Sequence, residues 1–438
     1  MIIGMKRSIF AAIFFAMTLS AEAQQERALS IDEMFELIEQ NNRSMKASKT
    51  GMEAAREGVK AAKSARLPEI GAQLSGSYMG NALLMDRDFT NAQGLQSPHW
   101  GNQFVLDVQQ TLYAGGAIEA GVKLAELGAE QAGLAVALSR QNQRFLALGQ
   151  YLDLEKIAHR EEVLKSNIEL TQKLIDNINE KHALGVALKN DVTRYELQME
   201  MLKLNLAKVR NTRKILNHQL CNTLGLADDM LIVPTGDAAA RAYDKNGEQQ
   251  WQQDAAGCNA QLQMAAVSEQ MARQQVKLAK SELLPKVALV AQNNFNGPIT
   301  FELPPVDKNL NIWYVGVGVQ YQLSSLFKSN KKLSKARLQE RQAQEQRAVA
   351  QEQLNNQVQA AYTNYLQSYV ELATQQKSVE LARQNYEVVN DRYLNQLALI
   401  TDMIDASNMR LDAELGEVDA RINIAYAYYK MRYVAGNL

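Results

Sequence analysis

The sequence predicts an α+β membrane protein in which one helix–strand–strand–helix unit is built twice. Three observations predict it. Long proline-free stretches rich in Ala, Leu, Gln, Glu, Lys and Arg alternate with short runs whose hydrophobic period drops from near 3.6 residues to 2. The same order of elements occurs in both halves: Asn42 is matched by Asn259, and Leu67-Pro68 by Leu284-Pro285, each 217 positions on. Finally, nothing after residue 24 approaches the ~18 uncharged apolar residues of a spanning helix, so a place in a membrane must come from strands.

The chain opens with Lys6 and Arg7, an apolar run from Ile9 to Leu19 and then Ala21-Glu22-Ala23. This pattern predicts a secretory signal peptide over 1–23, cut before Gln24 and excluded from the fold. No Cys stands at the cleavage site, so a lipid-anchored N-terminus is not indicated. In an exported protein Cys221 and Cys258 could pair, or stand as two lone buried thiols.

A first structural repeat is expected over 24–225. Ser30 and Glu33 have capping-box spacing and open a helix that runs to Leu67, where Pro68 ends it. Strands are expected at about 69–80 and 102–112, joined by a long polar loop. After Tyr113-Ala114-Gly115-Gly116 a helical pattern holds to His182, a length of about 100 Å at ~1.5 Å per residue. The chain turns at Ala183-Leu184-Gly185-Val186, and a return helix runs from Asn190-Asp191 to Leu224, with Gly225 as its stop. An irregular equatorial segment is expected over 226–257. The second repeat, 258–438, has a helix from Asn259, strands at about 286–295 and 312–323, a long helix from Phe327, a break at Ala398–Asp405 and a last helix to Gly436. Two short helices stacked beside one long helix would make a wall of even height. The charge-rich stretch Lys328–Arg347 reads as a solvated helix face.

In the strands, Phe104, Leu106 and Val108 alternate with Gln103, Asp107 and Gln109. Trp313, Val315, Val317, Val319 and Tyr321 alternate with Tyr314, Gly316, Gly318, Gln320 and Gln322. The apolar set suits lipid and the opposite set a water-filled lumen, with Trp313 and Tyr321 where an aromatic girdle would sit. Four strands cannot close a barrel, since membrane barrels begin at about eight. The barrel is therefore expected to be shared by a closing rotation, twelve strands from a homotrimer, continuous with a long α-helical barrel.

Asp402 and Asp405 lie three apart and share a helix face, with no partner cation beside them. Either Asp402 caps the helix, or copies meeting here make an acidic ring. Both readings stay open on the residues alone. His99, His159, His182 and His218 make no ligand spacing, and no nucleophile–base pair or phosphate loop occurs. No enzyme activity, cofactor or metal is therefore expected, and a net charge of −1 gives no footprint for nucleic acid.

The chain resembles the TolC-type outer-membrane channel family over nearly its whole mature length. The resemblance is carried by the duplication, by Leu-Pro before each hairpin, by Gln110-Thr111-Leu112-Tyr113 with Gly115-Gly116, and most specifically by Ile400-Thr401-Asp402-Met403-Ile404-Asp405-Ala406. It implies a passive duct in the outer membrane with a long periplasmic extension. Such a duct exports substrates together with a periplasmic adaptor protein and an inner-membrane transporter. It further implies a periplasmic gate ring of Asp402 and Asp405, a latch drawing on Tyr393, Asp191 and neighbouring Asn190, and adaptor docking at tips marked by Gly185 and Gln396. Ala398 stands where the family's latch has an Arg, and Gln396 where a tip Gly is expected. The alternative is a soluble periplasmic coiled-coil adaptor or scaffold.

Overall fold

The computed structural model describes residues 26–227, 229–235, 243, 247–302 and 305–438. The signal peptide read over 1–23 lies outside the described residues. In chain order the elements are β1 (Glu26–Leu29), α1 (Ile31–Asn41), α2 (Arg43–Ser64), β2 (Glu69–Tyr78), β3 (Ala82–Leu84), β4 (Gln93–Leu95), β5 (Trp100–Tyr113), α3 (Ala117–Ala183) and α4 (Lys189–Leu224). They continue with β6 (Leu231–Pro234), α5 (Glu248–Cys258), α6 (Ala260–Ser281), β7 (Lys286–Gly297), β8 (Leu310–Gln320), α7 (Ser325–Leu394) and α8 (Ile400–Ala435). Two compact units divide them. One comprises Met1–Lys49, Val136–Ala260 and Gln351–Leu438, the other Thr50–Ala135 and Gln261–Ala350.

The duplication is closer than the sequence suggests. Helices α1 and α2 have 11 and 22 residues, and so do α5 and α6. The return helices α4 and α8 have 36 each. The segment 226–257, expected to be irregular, contains β6 and all but the last residue of α5, so the helix expected from Asn259 is preceded by another. Its sequence is Gln-rich with one large apolar residue, Trp251, and shows little period. Strand β6 pairs in parallel with β1, Glu26 opposite Leu231 through Leu29 opposite Pro234. The buried Tyr151 hydroxyl donates to Leu29 O at 2.9 Å and accepts from Thr235 N at 3.1 Å, holding both strand ends.

In the first unit the two halves share one joint. Helices α4 and α8 end on Gly225 and Gly436, both left-handed (φ +65° and +81°). A β-carbon at Gly225 would lie 2.9 Å from Asn41 Cβ, and one at Gly436 would lie 2.6 Å from Cys258 O, so only glycine fits. Buried Asn42 breaks α1 from α2, and buried Asn259 breaks α5 from α6. Asn42 Nδ2 donates to Thr223 O at 2.8 Å, and Asn259 Nδ2 donates to Val434 O at 3.0 Å. Each amide thus satisfies a carbonyl that the end of a helix leaves open. Cys221 is buried and Cys258 is exposed, and no disulfide joins them.

Lower in the same unit, Glu161 of α3 is almost wholly buried. It accepts from Lys165 (2.9 Å), Arg210 Nε (3.1 Å) and Arg213 Nη1 (3.3 Å). Burial pushes its carboxyl up, but the bonds from Lys165 and Arg210 and the charges of Lys165 and Arg213 outweigh this and leave it below the ordinary 4.5.

The second unit holds a four-stranded antiparallel sheet in the order β2-β5-β7-β8. Its registers set Leu74 opposite Phe104, Ala72 opposite Leu106 and Ile70 opposite Val108. On the other pair, Trp313, Val315, Val317 and Val319 lie opposite Asn293, Ala291, Leu289 and Val287. Since Leu106 faces Asn293 and Val108 faces Ala291, both predicted apolar sets share one face of the sheet. Gln73, Gln103, Asp107, Gln292 and Asn294 lie on the other face. Tyr321 follows the last residue of β8. The ten residues of β2, at ~3.4 Å each and tilted about 40°, rise roughly 26 Å, the height of a membrane barrel's apolar band. No described helix is long and apolar enough to cross a membrane.

Two stability predictions follow from this packing. Asn42→Ala and Asn259→Ala each leave a helix-end carbonyl without its donor and should cost about 1–3 kcal/mol in urea denaturation. Glu161→Gln should cost about 1–2 kcal/mol near neutral pH, since two of its three cations are half-exposed. A carboxyl held low stabilises the fold above its ordinary pKa and loses that contribution as pH falls through the lowered value. The Glu161→Gln deficit should therefore be constant above pH ~5 and close in acid, as read from melting temperatures against pH.

Candidate functional site

Two helical turns of the first unit carry the candidate gate. After α3, Gly185 N donates to His182 O and Val186 N to Lys181 O, at 2.9 and 3.0 Å. After α7, Gln396 N donates to Tyr393 O and Leu397 N to Arg392 O, at 3.0 and 2.7 Å. These are the same C-terminal cap built twice, with Gly185 (φ +75°) and Gln396 (φ +63°) at its left-handed position. The return helices then start alike. Asp191 accepts from Leu188 N at 3.3 Å, and Asp402 accepts from Leu399 N at 3.0 Å. The cap reading of Asp402 is therefore realised.

Behind the turns, Ile178 of α3, Tyr195 and Met199 of α4, Tyr386 of α7 and Met403 and Ala406 of α8 form one buried cluster. Asp402 and Asp405 lie on the exposed side of α8, away from buried Met403 and Ala406. Asp405 has no hydrogen-bond or ion-pair partner among the described residues. One carboxylate thus closes its own helix and the second is uncommitted.

Tyr195 sits at the centre of the cluster, 1 % exposed, with no partner for its hydroxyl. Burial, then the neighbouring Tyr393 and Tyr386, hold its phenol far above its ordinary value. Tyr393 packs against the same cluster, and its phenol is raised by burial and by the Asp191 carboxylate. No hydrogen bond joins Tyr393 to Asp191 among the described residues, and Asn190 is exposed. The Lys181 ammonium lies 5.5 Å from the Tyr393 ring centroid, and the Arg410 guanidinium 4.9 Å from that of Tyr386. These cation–π contacts tie the end of α3 to the end of α7, and α8 to α7. Sequence reasoning did not find Lys181, Arg410 or Tyr195, because each acts across helices distant in the chain. It also missed the exposed apolar residues of the turns, Val186 and Leu188 in one and Leu397 and Leu399 in the other. Their matching positions in the two halves were the available signal. Among the described residues, no group of three or more His, Cys, Asp or Glu is placed to hold a metal ion.

A duplicated helix–hairpin–helix chain with an apolar sheet face and paired helical tips defines a channel-forming membrane protein. A family model described as outer membrane efflux protein matches residues 34–226 and 251–437, and the chain belongs to that family. It is a passive efflux duct of the outer membrane, in a family of channels rather than enzymes, and the soluble-adaptor alternative is set aside. Outer membrane protein TolC of Salmonella enteritidis is 20% identical over 97% of this chain and 86% of its own length. VceC of Vibrio cholerae superposes with a TM-score of 0.76 at 16% identity, covering 93% of this chain and 96% of that one. CmeC of Campylobacter jejuni superposes with a TM-score of 0.73 at 14% identity, covering 93% and 85%.

Gln396 holds a left-handed conformation that costs an L side chain about 1–2 kcal/mol. Gln396→Gly should therefore slow amide exchange in the second turn by a free-energy equivalent of roughly 0.5–1 kcal/mol, after the glycine's own entropy cost. Gly185→Gln should speed exchange in the first turn.

Proposed function

We propose that the chain works as a homotrimer whose copies together close a twelve-stranded barrel, and that each copy contributes Asp402 and Asp405 to a gate at the periplasmic end. The observation that carries this reading is the sheet, which has one apolar face and two edge strands, β2 and β8, with open backbone groups. In hydrocarbon each unsatisfied backbone group costs several kcal/mol, so such edges must be paired. Because β2 and β8 run in opposite directions, β2 of the next copy beside β8 continues the antiparallel alternation. Repeating the step closes a ring.

Within that ring the exposed carboxylates of Asp402 and Asp405 would gather around the axis and form a constriction that attracts cations. Tyr393, held between Lys181 and the charge of Asp191 with Asn190 beside it, would keep the two turns of one copy together in place of an Arg at Ala398. The turns of Gly185 and Gln396 offer Val186, Leu188, Leu397 and Leu399 as apolar docking points for a periplasmic adaptor, which would pull the turns apart. An inner-membrane transporter would supply the energy, and the duct would conduct passively.

Planar-bilayer conductance tests the gate. Asp402→Ala with Asp405→Ala should raise the concentration of hexamminecobalt(III) needed for block from the periplasmic side by at least about tenfold, because a trivalent ion loses its counter-charges. An unchanged block would remove these residues from the constriction.

A further inference from the structure

One surface of the second unit is not accounted for by the duct itself. From Leu326 to Gln339 the chain carries Lys328, Lys331, Lys332, Lys335 and Arg337 and no carboxylate. All five are exposed. Lys332 reaches Glu282 at 2.8 Å, and the other four have no ion-pair partner among the described residues. By helical spacing Lys328, Lys331, Lys332 and Lys335 share one flank of the helix, beside the line of buried Ser325, Ser329 and Ala336. The helix end before β7 has the same sign, with exposed Lys277, Lys280 and Lys286 around Glu282 alone. Exposed Arg66 stands just before β2, and Lys63 beside it pairs with Glu126 at 3.5 Å. Elsewhere α7 sets its cations beside carboxylates, as in Lys377–Glu380. In a chain of net charge −1 this local surplus needs a counter-charge from outside.

Its position names the source. Strand β8 ends at Gln320, and exposed Leu323, Leu326 and Phe327 follow before the first cation. Tyr113 is exposed at the corresponding end of β5. Going from sheet to helix, the surface therefore passes from apolar, through aromatic, to cationic. That is the order in which a protein leaves hydrocarbon through a headgroup layer. Along α7, Lys328 lies about 5 Å and Lys335 about 15 Å beyond Ser325. A headgroup layer is roughly 5–8 Å deep and charge acts about 8 Å further, so the lysines from Lys328 to Lys335 fall within reach of it.

We infer that this cationic surface is a collar that docks the anionic headgroups of phospholipids in the leaflet on the helix side of the sheet. It rests on the sheet's apolar face meeting lipid. It adds that the chain selects the charge of the lipid around it, fixing how deep the sheet sits.

The test uses the full-length protein reconstituted in bilayers of phosphatidylcholine, with trace spin-labelled phosphatidylglycerol or phosphatidylcholine, and reads the motionally restricted lipid by electron paramagnetic resonance. The wild type should restrict phosphatidylglycerol roughly three- to tenfold more strongly at low salt, and 0.5 M NaCl should remove most of the preference. Lys328→Gln with Lys331→Gln and Lys335→Gln, leaving the Lys332–Glu282 bridge intact, should bring the preference close to one with conductance unchanged. A preference absent in the wild type, insensitive to salt, or equal in wild type and variant overturns the collar. So does loss of binding to purified peptidoglycan sacculi with the lipid preference kept, which would assign the cations to the cell wall. Failure of both proteins to insert would instead overturn the membrane placement of the sheet.

Discussion

The ends of the return helices constrain the rest of the first unit. A helix that stops inside protein leaves carbonyls that water cannot reach. Here α4 and α8 stop against the breaks between α1 and α2 and between α5 and α6, and a side-chain amide from each break supplies the donor. Asn42 also accepts from Met45 N at 3.0 Å, so one residue starts a helix and finishes another. Gly225 and Gly436 are required because the backbones meet where a β-carbon would stand. These contacts fix the breaks after α1 and α5 and the C-terminal ends of α4 and α8 at equivalent places in the two halves.

Of that joint only the recurring Asn and Gly were legible in the sequence; the break at Asn42 was not, because the helical pattern opened by Ser30 reads as unbroken to Leu67. The strands were legible, since Phe104-Leu106-Val108 and Val315-Val317-Val319 alternate without interruption. Strand β1 was not, because four residues, Glu26 to Leu29, have no period and become a strand only by meeting Leu231–Pro234 two hundred residues later. Helix α5 was hidden by its composition, with Trp251 as its one strong anchor. At the tips, the two carboxylates were visible, but the surroundings of Tyr195 were not. Tyr386 and Tyr393 come from α7, Lys181 from α3 and Arg410 from α8, three helices whose residues leave no common spacing in the chain.

The two tips share a backbone but differ in chemistry. Both close with a left-handed residue and both use an aspartate on the next helix's first amides, so Asp191 and Asp402 carry the same structural duty. The differences are an uncommitted Asp405 in the second copy and a Gln where the first has Gly185. A carboxylate that already accepts from a backbone N–H is fixed in direction. Capping and lining a constriction are therefore compatible roles for Asp402, and the cap orients the charge that a ring would use.

The long helices add an independent argument for the closed assembly. On α4, buried Val192, Tyr195, Met199 and Leu202 define one face. Leu197, Met201, Leu204 and Ile215 are exposed, and at about 100° per residue they fall on the opposite side. Helix α7 repeats the pattern, with Leu354, Val358, Ala361 and Tyr365 buried and Leu366, Val370, Leu381 and Val388 exposed roughly opposite. A surface helix of a single globular body has one apolar stripe. Two stripes on opposite flanks suit a stave in a wall, where each helix has a neighbour on both sides. One chain covers one flank of α4 and of α7 and leaves the other bare, at a spacing of three and four residues that another helix can fill. The bare flanks of the helices and the bare edges of the sheet are both left for the proposed trimer to cover, by apolar contact in one unit and by backbone hydrogen bonds in the other.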